Sequence, residues 1–190
     1  MNIFNLYAYA YDPFMKIMGL YRTETIIKYL EPTKEQAVLD IGGGTGFIAS
    51  KIKPRVKKVV LIDDSNKMLK RAKRYEGLEL CQVKSHQIPY PDNYFDSIIC
   101  TDVLHHIKDI EPTILEMKRV LKVGGKVLIS EFDIKGFRGA LFWLFERTTL
   151  LNYCQFIKPE TLLATMKENQ FTGKVNKISR IEYIYVGNKK

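Results

Sequence analysis

A glycine-rich turn follows the first strongly apolar strand of the sequence. Residues 38–46 read Val-Leu-Asp-Ile-Gly-Gly-Gly-Thr-Gly, a strand that ends in a turn and opens a helix. Glycine lets a backbone approach a ligand closely, and nucleotide-type cofactors lie at the carboxyl ends of such strands. The spacing Asp-x-Gly-x-Gly-x-Gly differs from the dinucleotide pattern Gly-x-Gly-x-x-Gly, which disfavours a dinucleotide oxidoreductase. A nucleotide-type cofactor is therefore expected over this turn, and a tight turn without a ligand is the alternative.

The carboxylates near this turn favour particular chemistry. Asp40 is a poor neighbour for a pyrophosphate and a good one for a cation. Asp63 and Asp64 end the second strand, 17 residues after Gly46, close to the spacing at which an acidic side chain accepts hydrogen bonds from ribose hydroxyls. Either of the two can instead help to cap the next helix.

Five apolar runs rich in Val, Ile and Leu supply the strands that would hold these residues. Each run is followed by Gly, Asp, Ser or Pro and then by a helical pattern, an alternation typical of a parallel sheet with helices on both faces. The runs are Ala37–Ile41, Lys58–Ile62, Leu78–Val83, Asp96–Thr101 and Lys126–Ser130. A helix that begins at Pro159, followed by strands at residues 173–178 and 181–186, predicts a closing antiparallel hairpin.

Composition indicates a single globular domain. The 190 residues are 46% apolar and 27% charged, which excludes a disordered tail protein. No uncharged stretch approaches the roughly 18 to 20 apolar residues of a membrane-spanning helix. Because the sequence also shows no secretory signal, we expect a cytoplasmic protein. Cys81, Cys100 and Cys154 follow no pattern and are expected to be small buried hydrophobes.

Positive charge is concentrated in one part of the chain. The net charge is +9, and residues 51–74 hold ten basic and two acidic residues. Helical spacing after the N-cap Ser65 puts Met68, Leu69 and Ala72 on one face and basic residues on the other. This basic face would attract anionic lipid or nucleic acid, or it is only a solvated surface. We expect it to point away from the cofactor site.

Five sequence blocks, in order along the chain, resemble the class I S-adenosylmethionine-dependent methyltransferases, and in particular the group that includes the ubiquinone and menaquinone methyltransferases. The blocks are VLDIGGGTG at 38–46, LIDDSNKML at 61–69, IPYPDNYFD at 88–96, VLHHI at 103–107 and EMKRVLKVGG at 116–125. The resemblance implies an α/β fold with a doubly wound, seven-stranded Rossmann-like sheet, of order 3-2-1-4-5-7-6 with strand 7 antiparallel. It also implies S-adenosylmethionine as the cofactor.

When the family pattern is matched to this chain position by position, the resemblance implies which residues contact the cofactor. They are Asp40, Gly42, Gly43, Gly44 and Gly46 for the methionine part, Asp63 and Asp64 for the ribose, and Thr101 and His105 for the sulfonium end. Where the family usually carries an Asp for the adenine, this chain has Lys84. An ammonium group only donates hydrogen bonds, so either Ser85 or His86 is expected to replace that Asp, or the chain is shifted by one residue here relative to the family.

Methyl transfer needs little acid–base chemistry, because the sulfonium is already activated and the protein mainly aligns the nucleophile. His105 is the candidate general base, since imidazole titrates near neutrality, and a structural role near the cofactor is the alternative. His105 and His106 predict no metal site, because adjacent helical residues point about 100° apart and no third ligand is near in sequence. Further candidates near the mouth of the site are Tyr7, Tyr9, Tyr11, Asp12, Glu131 and Asp133.

The methyl acceptor should meet the N-terminal extension and the aromatic segment after the fifth strand. In a helix over residues 137–148, Phe142 and Trp143 fall away from the stripe that one packed face can bury. The excess apolar surface favours a small apolar acceptor, quinone-like or lipid. It can also touch a membrane surface, form a homodimer or pack as ordinary core.

These patterns together predict one methyltransferase domain over residues 1–190. Its parts are a helical extension (1–36), a cofactor-binding core (37–134), the aromatic segment (135–158) and a closing helix and hairpin (159–190). Nucleic acid is a less favoured partner despite the charge, because the sequence has no Asn-Pro-Pro-Tyr motif and no paired catalytic cysteines. Methylation of RNA or protein and a non-catalytic cofactor-binding scaffold stay open as alternatives.

Overall fold

The computed structural model describes residues 9, 11–13, 15, 16, 21–133 and 155–190. The strands are β1 Ala37–Ile41, β2 Lys58–Asp63, β3 Leu78–Gln82, β4 Phe95–Thr101, β5 Leu121–Phe132, β6 Phe171–Lys177 and β7 Glu182–Lys189. The helices are α1 Thr23–Leu30, α2 Phe47–Ile52, α3 Asn66–Ala72, α4 Glu111–Val120 and α5 Pro159–Glu168, with 3₁₀ turns at Lys53–Arg55 and Leu104–His106.

The strands form one seven-stranded sheet in the order β3-β2-β1-β4-β5-β7-β6. The first five strands run parallel to one another. Strand β7 runs antiparallel to both β5 and β6, and with β6 it forms the closing hairpin. The predicted doubly wound fold and its strand order are confirmed.

Helices cover both faces of the sheet because the central strands are apolar on both sides. Successive residues of a strand point to opposite faces, so Val38 and Leu39 belong to two different apolar clusters. The cluster around Val38 includes buried residues of α1 and α2, and the cluster around Leu39 includes those of α4 and α5. The helices on the two faces hold the central strands between them and thereby fix where those strands end.

The carboxyl ends of β1, β2 and β4 lie side by side. Ile41 pairs with Ile62 of β2 on one side and with Cys100 of β4 on the other. The turns that follow these three strands therefore meet at one edge of the sheet, where ligands of open α/β sheets bind.

Helix α3 begins at the predicted N-cap, and two of its basic residues make contacts that the sequence does not predict. The Ser65 hydroxyl accepts a hydrogen bond from the Met68 amide at 3.2 Å, which caps the helix. The apolar face formed by Met68, Leu69 and Ala72 is buried, as predicted. Two residues of the basic side, Arg71 and Arg74, pair through their guanidinium groups with Asp12 of the N-terminal segment, and neither arginine lines the described cavities.

Strand β5 is longer than predicted. Its expected start was Lys126, but pairing begins at Leu121, opposite Phe95 of β4. The reason is that α4 ends at Val120 and the chain enters the sheet directly.

Several predictions concern residues outside the described part of the chain. Tyr7, Cys154 and the aromatic segment with Phe142 and Trp143 belong to this group. Of the other cysteines, Cys100 is buried and Cys81 is half-buried. Among the described residues, no helix combines the length and the apolarity that crossing a bilayer requires.

Candidate functional site

A cavity of about 480 Å³ opens where the turns after β1, β2 and β4 meet. Most of the predicted site residues come together around it or around a pocket of about 30 Å³ that shares part of its wall. The larger cavity is lined by Gly42, Gly44, Asp63, Asp64, Ser85 and His86. The smaller pocket is lined by Asp40, Gly43 and Thr101 and also by Gly42 and Gly44. Gly46 and His105 line neither.

Close packing of the backbone explains the glycines at the start of the turn. Gly42 has φ +66°, and a Cβ atom there would lie 2.4 Å from a methyl group of Val103. The turn after β1 therefore rests directly on the turn after β4. Gly44 has φ +55° and faces open space, so a side chain at this position would extend over the turn. Gly46 instead caps α2 and packs against Ala72.

Asp63 ties the second strand to the glycine turn. Its Oδ2 accepts a hydrogen bond from the Gly44 amide at 3.0 Å, and its Oδ1 accepts one from the Ser65 amide at 2.8 Å. Burial raises the pKa of this carboxyl to about 6, with the nearby Asp64 as a further cause, although both hydrogen bonds favour the ionised form. Asp63 thus orders the turn and the start of α3 in addition to lining the cavity.

Asp40 has the least satisfied carboxyl group among the described residues of the site. The side chain is buried beneath Gly43, and neither carboxylate oxygen has a hydrogen-bond partner among the described residues. Burial, and the charge of Asp63, raise the pKa of Asp40 to about 8. A buried carboxyl without a partner favours its neutral form until a cation arrives. The position therefore suits a positively charged group.

The loop after β3 forms the opposite wall of the cavity. Lys84, Ser85 and His86 all line it. The Ser85 hydroxyl lies 2.8 Å from the Thr113 hydroxyl of α4, and Arg119 of the same helix donates hydrogen bonds to the backbone oxygens of Ile88 and Tyr90. Helix α4 thereby holds this wall in place from behind.

The turn after β4 separates the two adjacent histidines. His106 lines the cavity, whereas His105 is buried behind it. The His105 Nδ1 lies 2.6 Å from Oε2 of Glu131, and its ring stacks on Phe156 with 4.9 Å between ring centroids. The other Glu131 oxygen accepts the amides of Val103 and Leu104. In the described structure, His105 supports the turn and does not border the cavity, which favours the structural alternative for this residue.

Sequence reasoning did not select Asp102, Val103 and His106, which line the cavity. Asp102 borders both spaces and has a left-handed backbone with φ +58°, unusual for a residue other than glycine. Its position directly after β4 would have found it, since the residues that follow parallel strands line such sites.

Comparison with known proteins points in one direction. A family model described as "Methyltransferase domain" matches residues 39–129. The uncharacterized methyltransferase YcgJ of Bacillus subtilis is 32% identical over 135 residues, which are 63% of this chain and 53% of YcgJ. The ubiquinone/menaquinone biosynthesis C-methyltransferase UbiE of Francisella tularensis is 34% identical over 147 residues, 70% of this chain and 58% of UbiE. The chain thus spans just over half the length of these relatives.

Solved structures share the fold. The YcgJ crystal structure superimposes with a TM-score of 0.77 at 20% identity and covers 88% of this chain and 97% of that chain. The geranyl diphosphate C-methyltransferase of Streptomyces coelicolor, solved in complex with S-adenosyl-L-homocysteine, gives a TM-score of 0.76 at 11% identity over 89% of this chain and 77% of that chain.

Replacing Asp40 by Asn tests its raised pKa. The folded-state pKa of about 8 lies above the unfolded value of about 3.9. Between these values the folded chain holds a proton that the unfolded chain has lost, so the stability falls as the pH rises through this window. Asn stays neutral, and each pKa unit corresponds to about 1.4 kcal/mol. We expect Asp40→Asn to match the wild type near pH 4 and, because the two pKa values lie about four units apart, to exceed its stability by on the order of 5 kcal/mol at pH 8.

Urea denaturation of both proteins from pH 4 to 8 measures this difference. Asp109→Asn, a substitution at an exposed carboxylate, serves as the control and should follow the wild-type profile. Parallel profiles for Asp40→Asn and the wild type would contradict the assignment.

Proposed function

We infer that this chain, a member of the class I S-adenosylmethionine-dependent methyltransferases, transfers a methyl group from S-adenosylmethionine to a small apolar acceptor. The observation that carries the proposal is the buried, unpartnered carboxylate of Asp40 next to the glycine turn. A dinucleotide would bring a pyrophosphate to this turn and would leave Asp40 facing negative charge. S-adenosylmethionine brings positive charge instead.

The residues at the sheet edge fit this cofactor. When bound, S-adenosylmethionine supplies a methyl group already activated by its sulfonium. Asp40 and the glycine turn would hold the methionine part, with Asp40 balancing its ammonium group. Asp63 would accept hydrogen bonds from the ribose, since each carboxylate oxygen can accept more than the one amide it already holds. Ser85 and His86 would face the adenine.

Carboxylates surround the cavity and favour a cationic ligand. Asp63, Asp64 and Asp102 line it, and Asp40 lies directly behind the glycine turn. Opposite charges attract more strongly at a partly buried site than in water, so this wall stabilises a sulfonium and an ammonium group. Lys84 is the exception in the lining, and its ammonium group repels other cations from that side.

An apolar acceptor is supported by the cluster next to the site. Buried Met15 and Phe132 pack with Tyr11, Tyr21 and Phe156, and Tyr11 also lines the cavity. The UbiE relatives carry the name of quinone-biosynthesis enzymes, and quinones are apolar ring compounds. The aromatic segment at 135–158, of which residues 135–154 lie outside the described part of the chain, is proposed from its sequence as the acceptor-binding part of the domain.

Asp63→Ala tests cofactor binding. Charge-assisted hydrogen bonds contribute about 1.5 to 3 kcal/mol each, so we expect the affinity for S-adenosylmethionine to fall about tenfold or more. Calorimetric titration measures it, with Asp64→Ala as the matched variant that should lose less. Unchanged affinity in Asp63→Ala together with a loss in Asp64→Ala would move the ribose contact to Asp64. Tight binding of a nicotinamide dinucleotide by the wild type would overturn the family assignment of the site.

Trp143→Ala tests the acceptor. If Trp143 faces the acceptor or lipid, the variant should melt within a few degrees of the wild type, keep its cofactor affinity and lose most activity on a quinone-like acceptor. A core aromatic residue changed to Ala typically costs about 3 to 5 kcal/mol, and Phe132→Ala, at a buried position, provides that comparison. A stability loss as large as that of Phe132→Ala would make Trp143 a core residue.

Transfer of label from methyl-labelled cofactor separates the acceptor classes. We expect label in a lipid extract and little in total RNA. Label in RNA, together with full activity of Trp143→Ala, would favour a nucleic-acid acceptor instead. Label in neither fraction, with intact cofactor binding, would favour a protein acceptor or a non-catalytic scaffold.

A further inference from the structure

The side chain of Asp12 joins three separate parts of the chain. Its Oδ1 accepts hydrogen bonds from the Thr45 hydroxyl at 2.5 Å and from the Tyr21 hydroxyl at 2.6 Å. Its Oδ2 pairs with the guanidinium group of Arg74 and lies 3.9 Å from Nη2 of Arg71. The N-terminal segment, the glycine turn and the end of α3 therefore converge on one carboxylate.

This carboxylate is buried, with 4% of its surface exposed. Burial alone would raise the pKa of Asp12, but the hydrogen bonds from Thr45, Tyr21 and Arg74 outweigh it and keep the pKa below its ordinary value. A buried ionised carboxylate is stable only while its partners stay in place, because breaking a buried pair leaves an uncompensated charge. The three parts of the chain are thus held together as a unit.

The contacts of Asp12 bear on the cavity through its neighbours. Tyr11, the preceding residue, lines both the larger cavity and the smaller pocket. Thr45 belongs to the glycine turn and also borders the smaller pocket. Asp12 therefore connects Tyr11, its neighbour in the chain, to Thr45 of the glycine turn.

Two of the basic residues between positions 51 and 74 belong to this cluster. Arg71 is partly buried, and its guanidinium group lies 5.0 Å from the centre of the Tyr9 ring. Arg74 lies 4.7 Å from the Tyr75 ring centre and pairs with Asp12. Both guanidinium groups therefore contact the N-terminal segment.

We propose that Asp12 is a positioning residue of the cofactor site, which fixes Tyr11 and Thr45 in the cavity wall through its ion pair with Arg74. The inference rests on the proposed function, because the ligand of that wall is S-adenosylmethionine. Asp12 touches neither the cofactor nor the acceptor in this account and acts through its neighbours. Loss of the ion pair should open the wall and speed the departure of the cofactor.

Two variants each remove one side of the pair. Asp12→Asn keeps an oxygen that accepts from Thr45 and Tyr21 but loses the charge, and Arg74→Gln removes the cation. We expect S-adenosylmethionine to dissociate about tenfold faster from each, as measured by stopped-flow displacement. The double variant should dissociate no faster than the single ones, because both remove the same interaction. Arg74→Lys should restore most of the slow dissociation.

Arg55→Gln is the matched control, since Arg55 lies in the same basic region and its guanidinium group bonds only the backbone oxygen of Lys51 among the described residues. This variant should keep wild-type dissociation. Tryptic cleavage after Lys16 in the absence of cofactor provides a second readout, and it should quicken in Asp12→Asn and Arg74→Gln only.

The outcomes separate this inference from the proposed function. If the wild type binds S-adenosylmethionine and neither Asp12→Asn nor Arg74→Gln changes its dissociation rate, the role of Asp12 is overturned and the proposed function stands. An equal effect of Arg55→Gln would also overturn the role of Asp12, because net charge and not the ion pair would then be responsible. A wild-type chain that does not bind S-adenosylmethionine would overturn the proposed function and the cofactor part of this inference with it.

Discussion

Two carboxyl groups at the ends of neighbouring parallel strands, one buried and one half-buried, set the character of this site. Asp40 belongs to β1 and Asp63 to β2, and the charge of Asp63 raises the pKa of Asp40. Asp63 is partly neutralised by amides of Gly44 and Ser65, whereas Asp40 has no hydrogen-bond partner among the described residues. Such an arrangement is unfavourable for folding unless a cation can be accepted. A cofactor that carries positive charge meets that requirement.

The sheet creates this constraint. Pairing of Ile41 with both Ile62 and Cys100 makes three strand ends level, so the turns after them must share the same space. Gly42 lets the turn after β1 rest against Val103, and Glu131 of β5 holds that residue through its amide. Residues behind the cavity therefore support its walls. Glu131 supports the turn after β4, and Arg119 supports the loop after β3.

The sequence predicts the parts of this protein that depend on local pattern. The apolar runs and the glycine turn indicate the parallel sheet and its site. The end of a strand and a backbone with positive φ each favour particular residue types at a few adjacent positions, so a local pattern reveals them. The choice between His105 and His106 was not predictable, since it depends on Glu131, which is distant in sequence. The same is true of Asp12, whose partners Thr45 and Arg74 are brought to it only by the folded chain. No periodic pattern marks such a residue.

Counting the protons exchanged during cofactor binding shows whether Asp40 is a neutral carboxyl group that ionises beside a cation. Calorimetric titration of S-adenosylmethionine at pH 7, in buffers of different ionisation enthalpy, gives the number of protons exchanged. With a pKa of about 8, Asp40 is mostly protonated at this pH, and a cation beside it should expel that proton. We expect the wild type to release close to ~1 proton per cofactor bound, and we expect this release to disappear in Asp40→Asn. Binding without proton release, or equal release in both proteins, would contradict it.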